Sequence, residues 1–394
     1  MQSKNKAFHR LTRILAALCI AFICFCVSWF KLSERAVEAS DFSFPLRAAA
    51  RLRMGLNPYQ DSSVSLHRPY PFQTPFPYPL PAALLAWPFS YLGGDEARLV
   101  VGPPAFSESA RRELIAINKA NSAQRLALKQ QWLAKYSLTE RDKSDWRTPE
   151  LAAALFMGVS SFILALSILL SPDFKIWKLL IFASPSFYVA LGVGQWSPLL
   201  VAGAFFFPLL GLCVAKPNVA LPLLLHSLQK KHSKQEWQIL IGVASALVIC
   251  AFIVMPTWPL EWFNSVRGQT EKPYFSPFLY GIGPVLALLT LLRIRTSGAT
   301  LVLALGLLPQ HSFFYDTFAL GLVPRSAKQY IALFTTQWLG FLTLFWLHGF
   351  NGFALSPNLP GALNRDIPVC IVCFFYAPAV VLLWWQEKHQ VKLG

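Results

Sequence analysis

Charged residues are scarce in this sequence. They occupy 14% of its 394 positions, whereas hydrophobic residues occupy 55%. A water-soluble core of this size does not need so much apolar sequence, so the composition excludes an ordinary soluble enzyme. It predicts an all-α polytopic membrane protein, whose first partner is the lipid bilayer.

Acidic residues are the scarcest charges, with 19 against 35 lysines and arginines, which gives a net charge of +16. Such a charge can indicate nucleic-acid binding, but the basic residues cluster beside apolar segments, at 230–234, 293–295, 325–328 and 388–392. Cytoplasmic loops that face anionic lipid explain this placement better. We therefore expect no nucleic-acid partner.

Nucleotide and metal signatures are missing as well. The sequence has no P-loop, no GxGxxG after a strand and no HExxH, so ATP or a nucleotide sugar is not expected as a donor. The seven cysteines lie mostly within apolar stretches, which argues against a disulfide framework or a zinc site. No metal ligands are predicted, and the need for a divalent ion is open.

The apolar sequence is divided into many segments. Residues 11–30 are long enough to cross a hydrocarbon core of ~30 Å, and the basic residues before them predict a cytoplasmic N-terminus. We interpret this segment as a retained anchor, so that residues 31–79 form an external loop. From residue 151 onward, several apolar blocks are shorter than ~17 residues, which predicts half-helices or re-entrant segments.

Two regions complete the organisation of a single membrane domain over 1–394. Residues 93–150 hold ten basic and eight acidic residues and form a soluble or interfacial helical insertion. The segment 80–92 either crosses the membrane or only dips into it. We prefer the second alternative because the segment is short and broken by proline, and because Lys175 and Lys178 are then cytoplasmic and Gln195 is external.

Four polar constellations interrupt the apolar sequence. In the first, Asp41 precedes a helix-like run that contains Arg47 and ends at Gly55, and Asn57-Pro58-Tyr59 forms a turn. The polar groups of this region could hold a sugar and its arginines a phosphate. The alternative for Asp41 is an ordinary solvated loop acid.

The other three constellations lie between apolar helices. The second is Gln195 at the end of a helix, where an interfacial amide is the alternative. The third is Lys216, either a functional lysine at membrane depth or one that snorkels to an interface. The fourth contains His311, Tyr315 and Asp316, and Asp316 either pairs structurally or contacts a substrate.

The order of these constellations resembles glycosyltransferase family 87, within the GT-C superfamily of polyprenyl-phosphate-sugar dependent enzymes. The resemblance is carried by Asp41, by a small-residue helix before Gly55, Pro58 and Tyr59, and by three later motifs: Ser184-Pro185-Ser186 through Gly194-Gln195, Lys216-Pro217, and Pro309 through Tyr315-Asp316. The sequence departs from the pattern in a short spacing between Gln195 and Lys216 and in a long 93–150 insertion.

The resemblance implies a GT-C-like multi-span helical bundle in a bacterial inner membrane, with both termini cytoplasmic. It implies transfer of a hexose, mannose by family default, from a polyprenyl-phosphate donor to a lipid or glycan acceptor on the external face. Asp41 would be the general base. Arg47, Asn57, Tyr59, Gln195, Lys216, His311, Tyr315 and Asp316 would contact substrate. A transporter of a lipid-linked saccharide and a non-catalytic assembly factor are the alternatives.

Overall fold

A computed structural model describes residues 2–35, 40–53, 55–60, 76–92, 113, 116–117, 122–135, 148–267, 274–311, 314–348 and 361–390. In these ranges the chain is helical apart from two short paired strands. Five helices are long and apolar enough to cross a membrane, at His9–Ser33, Pro149–Leu170, Lys234–Val254, Ala327–Leu347 and Asp366–Gln386. The expected helical, multi-pass membrane character is confirmed at this level.

The α-helices are α1 (Gln2–Arg35), α2 (Ser43–Arg53), α3 (Leu80–Ser90), α4 (Ser122–Lys135), α5 (Pro149–Leu170), α6 (Pro185–Val193), α7 (Ser197–Ala202), α8 (Pro217–Leu228), α9 (Lys234–Val254), α10 (Trp258–Arg267), α11 (Gly283–Leu291), α12 (Ser297–Leu307), α13 (Ala327–His348), α14 (Gly361–Cys370) and α15 (Ala377–Gln390). A π-helical turn, Ile371–Tyr376, joins the last two. Tight 3₁₀ helices occupy Ser40–Phe42, Pro58–Gln60, Ile176–Ala183, Phe207–Ala215, Pro277–Leu279 and Phe314–Leu322. Strands β1 (Tyr274–Phe275) and β2 (Gln310–His311) pair antiparallel.

The chain divides into two compact units. The first comprises Met1–Phe25, Met157–Ile249 and Glu271–Gly394, and the second comprises Cys26–Phe156 and Cys250–Thr270. Asp41 and its neighbours belong to the second unit, whereas Gln195, Lys216 and Asp316 belong to the first. The insertion predicted at 93–150 lies mostly outside the described residues, and α4 is its longest described element.

In the first unit, α1 and α5 run antiparallel. Ala17 packs against Ala165 and Leu169, whereas Gly158, earlier in α5, lies opposite Phe25, later in α1. Helix α3 has 11 residues and is about 16 Å long, which is shorter than a hydrocarbon core of ~30 Å. That the segment 80–92 only dips into the membrane stays a prediction.

The basic loops of the first unit meet at one end, which we call the basic end. The Arg13 guanidinium lies 5.2 Å from the Phe174 ring. Further contacts link the remaining loops: Lys178 with Phe205, Lys230 with Ala204, Gln229 with Thr300, Arg293 with Trp384, and Gln386 with Val323. One end of the unit thus gathers the positive charge that the sequence spreads over more than 200 residues.

Candidate functional site

The first part of the candidate site is a sharp helix end. Helix α6 ends at Gly194, whose φ of 65° lies in the left-handed region that glycine adopts without steric cost. The backbone N–H groups of Gly194 and Gln195 both donate to the Ala190 carbonyl. This cap stops the helix and leaves Gln195 in the break before α7.

The second part is another break, between the 3₁₀ helix Phe207–Ala215 and α8. Lys216 lies in it with extended backbone, φ −147° and ψ 78°. Pro217 takes the first position of α8, where its missing N–H has no partner to lose. The Lys-Pro sequence therefore places a lysine side chain at the start of a helix inside an apolar part of the chain.

The third part is the first turn of the 3₁₀ helix Phe314–Leu322, which contains Tyr315 and Asp316. The Thr317 hydroxyl lies 2.7 Å from the Ser186 hydroxyl in α6, and Tyr315 packs against Ala190 and Val193 of the same helix. These contacts fix the turn beside the end of α6, so this third part lies near Gln195.

These three parts of the site bring four predicted residues into one group, which we call the Lys216 cluster: Gln195, Lys216, Tyr315 and Asp316. The Lys216 Nζ donates to Gln195 Oε1 at 2.7 Å and lies 3.7 Å from Asp316 Oδ1. The same nitrogen lies 5.2 Å from the centre of the Tyr315 ring. All four side chains are buried, with exposures of 0, 5, 3 and 2%.

The cluster lies deep in the first unit. Helix α8 runs from Lys216 toward the basic end in 12 residues, a length of about 18 Å, against ~30 Å for a hydrocarbon core. The chain between Lys216 and the basic end is therefore shorter than a full span. Ionisable residues that lie between apolar helices of a membrane protein are candidates for function by default.

Within the cluster one ammonium faces one carboxylate, and the neutral Gln195 amide accepts a hydrogen bond from the ammonium. Gln195 Oε1 also accepts from the backbone N–H of Trp196 at 3.3 Å, which fixes the amide orientation. Such a pair can stabilise the breaks, and its ammonium can also bind an anion that displaces the carboxylate.

The second unit holds Asp41, in the 3₁₀ turn Ser40–Phe42 directly before α2. Its carboxyl is partly exposed, and Arg47, one turn and a half later, is buried. Phe42 stacks on Phe156 at 4.2 Å between ring centres and meets Phe89 edge-on at 5.7 Å. This aromatic packing fixes the backbone that carries Asp41.

Helix α2 ends as the sequence predicted. Gly55 has φ of 71°, and bonds from Gly55 N to Leu52 O and from Leu56 N to Arg51 O complete a Schellman cap. Asn57 Oδ1 then accepts from Tyr59 N at 2.9 Å, which makes the predicted turn. Arg51 Nε also donates to the Asn57 carbonyl at 3.1 Å.

Tyr59 leads to contacts that sequence reasoning missed. Its hydroxyl donates to the Tyr78 carbonyl at 3.1 Å. Burial, and then the negative charge of Glu261, raise the pKa of the Tyr59 phenol well above its ordinary value, so it stays protonated as a donor. Two residues of α10, Trp262 and Ser265, hold the adjoining backbone, and no pattern in the sequence indicated them.

The predicted site residues thus fall into two groups. Gln195, Lys216, Tyr315 and Asp316 meet in the first unit, and Asp41, Arg47, Asn57 and Tyr59 belong to the second. The backbone of His311 pairs with Tyr274 in the small sheet, and its side chain lies outside the described part of the structure. Within the described ranges, no group of three or more His, Cys, Asp or Glu residues could hold a metal ion.

The fold and the cluster together define a helical chain of the multi-pass membrane type with a buried polar site. No family model, curated protein or solved structure matches the chain. The resemblance to glycosyltransferase family 87 therefore stays a prediction from the sequence motifs.

Proposed function

We propose that this chain is an integral-membrane hexosyltransferase of the GT-C type in a bacterial inner membrane. It transfers a hexose from a polyprenyl-phosphate donor to a lipid or glycan acceptor on the external face. The observation that carries the proposal is the Lys216 cluster, in which residues from three separate motifs of the resembled family meet around one ammonium group.

The proposed chemistry is an inverting displacement. The Asp41 carboxylate takes the proton of an acceptor hydroxyl, whose oxygen attacks the anomeric carbon while the bond to the polyprenyl-phosphate oxygen breaks. The phosphate leaves with an added negative charge. A preorganised cationic group stabilises such a charge strongly in a site that excludes water.

The test is transfer of labelled hexose from polyprenyl phosphate in membranes that contain the wild-type chain or Asp41→Asn. We expect Asp41→Asn to insert normally and to lose at least about 100-fold in rate, the usual effect of removing a general base. Asp173→Asn is the matched control, because this exposed acid lies at the basic end, and it should keep full transfer. Equal transfer by wild type and Asp41→Asn would remove Asp41 from the mechanism.

A second candidate is a transporter of a lipid-linked saccharide. It is favoured by the discontinuous helices around the Lys216 cluster, since transporters bind substrates where broken helices meet near the bilayer centre. The 56° bend between Ile176–Ala183 and Pro185–Val193 adds another break to this region. Movement of labelled lipid between leaflets without covalent transfer would favour the transporter over the enzyme.

The proposed orientation places the basic end and both termini in the cytoplasm, following the positive-inside rule. A reporter that is active only in the cytoplasm should then work when fused after Lys231 or after Gly394. It should fail when fused after Gly281, which follows β1. Activity at Gly281 and none at Lys231 would reverse the proposed orientation.

A further inference from the structure

Helix α10, Trp258–Arg267, has its polarity inverted relative to a helix on the surface of a soluble protein. Its inward face carries an acid, a serine and two indoles: Trp258, Glu261, Trp262 and Ser265. Its outward face is mainly apolar: Leu260, Phe263 and Val266 are 70, 61 and 45% exposed, and Asn264 and Arg267 are the polar residues exposed beside them. A soluble surface helix turns its apolar stripe toward the core, so α10 is not built to face water.

The inward face is fixed by hydrogen bonds to a short non-helical segment, Phe76–Tyr78, which we call the strap. Ser265 Oγ donates to the Phe76 carbonyl at 2.7 Å. Trp262 Nε1 donates to the Pro77 carbonyl at 3.1 Å. With the bond from Tyr59 to the Tyr78 carbonyl, three successive carbonyls of the strap each accept a side-chain donor.

These bonds define the rotation of α10 about its axis. If the helix turned its apolar face inward, the carbonyls of Phe76 and Pro77 would lose their donors, at a cost of about 1–3 kcal/mol for each buried group. The polar face must therefore stay against the strap. The apolar face is left to contact whatever surrounds the protein.

The exposed apolar surface of α10 continues the exposed apolar surface of α9. We therefore identify the surroundings of this face as lipid. Helix α9 ends at Val254, three residues separate it from α10, and only 11% of its most apolar 18-residue stretch is buried. Ile253 and Val254 at its end are 75 and 45% exposed. The exposed apolar surface thus continues from a candidate membrane span onto α10, and Arg267 at the exposed end of α10 suits anionic lipid phosphates.

We infer that α10 lies in the membrane–water interface with Leu260, Phe263 and Val266 among the lipid acyl chains, and that it holds the strap at the level of the lipid headgroups. The inference does not depend on glycosyl transfer. It assigns the bilayer as the partner of this face and makes α10 the element through which the membrane positions the Tyr59 region. Indole rings such as Trp258 and Trp262 are common at this depth.

The test places a photoreactive diazirine analogue of phenylalanine at Phe263 of the full chain, in liposomes of phosphatidylethanolamine and phosphatidylglycerol. Three positions serve as references: Ile241, exposed in the middle of α9; Lys231, exposed in the loop before α9; and Trp258, on the inward face of α10. After irradiation, lipid adducts are counted by mass spectrometry. The analogue has nearly the shape of phenylalanine, so the variant at Phe263 keeps the fold.

We expect the yield of lipid adducts at Phe263 to lie within about twofold of that at Ile241 and at least about fivefold above those at Lys231 and Trp258, as an interfacial helix requires. A yield at Phe263 equal to that at Lys231 would overturn the inference, because the face would then contact water. Cross-links from Phe263 mainly to a second copy of the chain would also overturn it, because the face would then be a protein interface.

Discussion

Replacing Asp316 tests whether burial controls the energetics of the Lys216 cluster. Asp316→Asn removes the carboxylate charge and leaves the Lys216 ammonium buried. At the observed 3.7 Å, two unit charges interact by about 4.5 kcal/mol with an effective dielectric constant of 20. Since Gln195 still accepts a hydrogen bond from Lys216, we expect a loss of about 3 kcal/mol in the free energy of unfolding, within the range for broken buried pairs.

The assay is reversible unfolding by sodium dodecyl sulfate in mixed micelles, followed by tryptophan fluorescence. The matched control is Asp173→Asn, which breaks the pair between Asp173 and Lys178 at the basic end. That pair is closer, at 2.5 Å, but the Asp173 side chain is 80% exposed. We therefore expect it to cost less than about 1 kcal/mol. The shorter pair should matter less because water screens it.

A double variant completes the test. Lys216→Met removes the ammonium and by itself leaves a buried carboxylate, so it should also be destabilising. Lys216→Met combined with Asp316→Asn removes both charges of this ion pair, and we expect it to be more stable than either single variant, with a coupling energy of at least about 2 kcal/mol. Single losses under about 1 kcal/mol that simply add in the double variant would refute the reasoning. A stable double variant that still transfers hexose would limit the pair to a structural role.

Three further predictions concern backbone, hydroxyl and pH effects. Gly194→Ala places a side chain at a φ of 65° and should cost about 1–2 kcal/mol in the unfolding assay, whereas Gly242→Ala, where a Cβ meets nothing within 4 Å, should be neutral or stabilising. Tyr59→Phe removes a hydrogen bond to the strap; it should cost about 1 kcal/mol and speed amide exchange at Tyr78, while Tyr330→Phe in the other unit should leave that exchange unchanged. The hydrogen bond from Lys178 holds the pKa of Asp173 below its ordinary value of 3.8. Its contribution to stability is therefore present at neutral pH and lost as the pH falls through the lowered folded-state pKa, so the difference between wild type and Asp173→Asn should disappear in acid, below the ordinary pKa of the carboxyl.

Prediction from the sequence worked best for local features in which a particular residue type is needed for a particular backbone geometry. The end of α2 at Gly55 and the turn at Asn57 follow from left-handed backbone and a side-chain cap, and both are present. Gln195, Lys216 and Asp316 could be selected as candidates because polar groups are rare between apolar helices. Their meeting could not be deduced, because it depends on three helix breaks whose relative placement is a tertiary property.

Hydropathy did not locate every break. Residues 197–215 form one apolar block in the sequence, yet the chain forms α7, turns at Gly203, and returns as the 3₁₀ helix Phe207–Ala215. A Cβ at Gly203 would lie 2.5 Å from Leu210 Cδ2, so the turn requires the glycine to let the two arms pack. An average over a window of residues cannot detect a close approach of this kind.

Helix α10 was missed for a different reason. Its polar residues face inward and its apolar residues face outward, so a pattern that assumes a water-facing polar side predicts a polar connection over 257–277. The donors at Trp262 and Ser265 have partners about 185 residues earlier in the chain, at Pro77 and Phe76. A contact that distant has no local signal, and only the folded chain reveals it.

The helix breaks make the Lys216 cluster a stronger structural argument for a site than Asp41. A broken helix at membrane depth leaves backbone groups without their regular partners, and such a break is tolerated only where it is buried in protein or lines a cavity. One break could be an accident of packing, but here three breaks, at Gly194, at Lys216 and before Tyr315, meet around one ion pair. Continuous helices with leucine at these positions would be simpler to stabilise, and this is the structural reason for proposing that a polar group binds there.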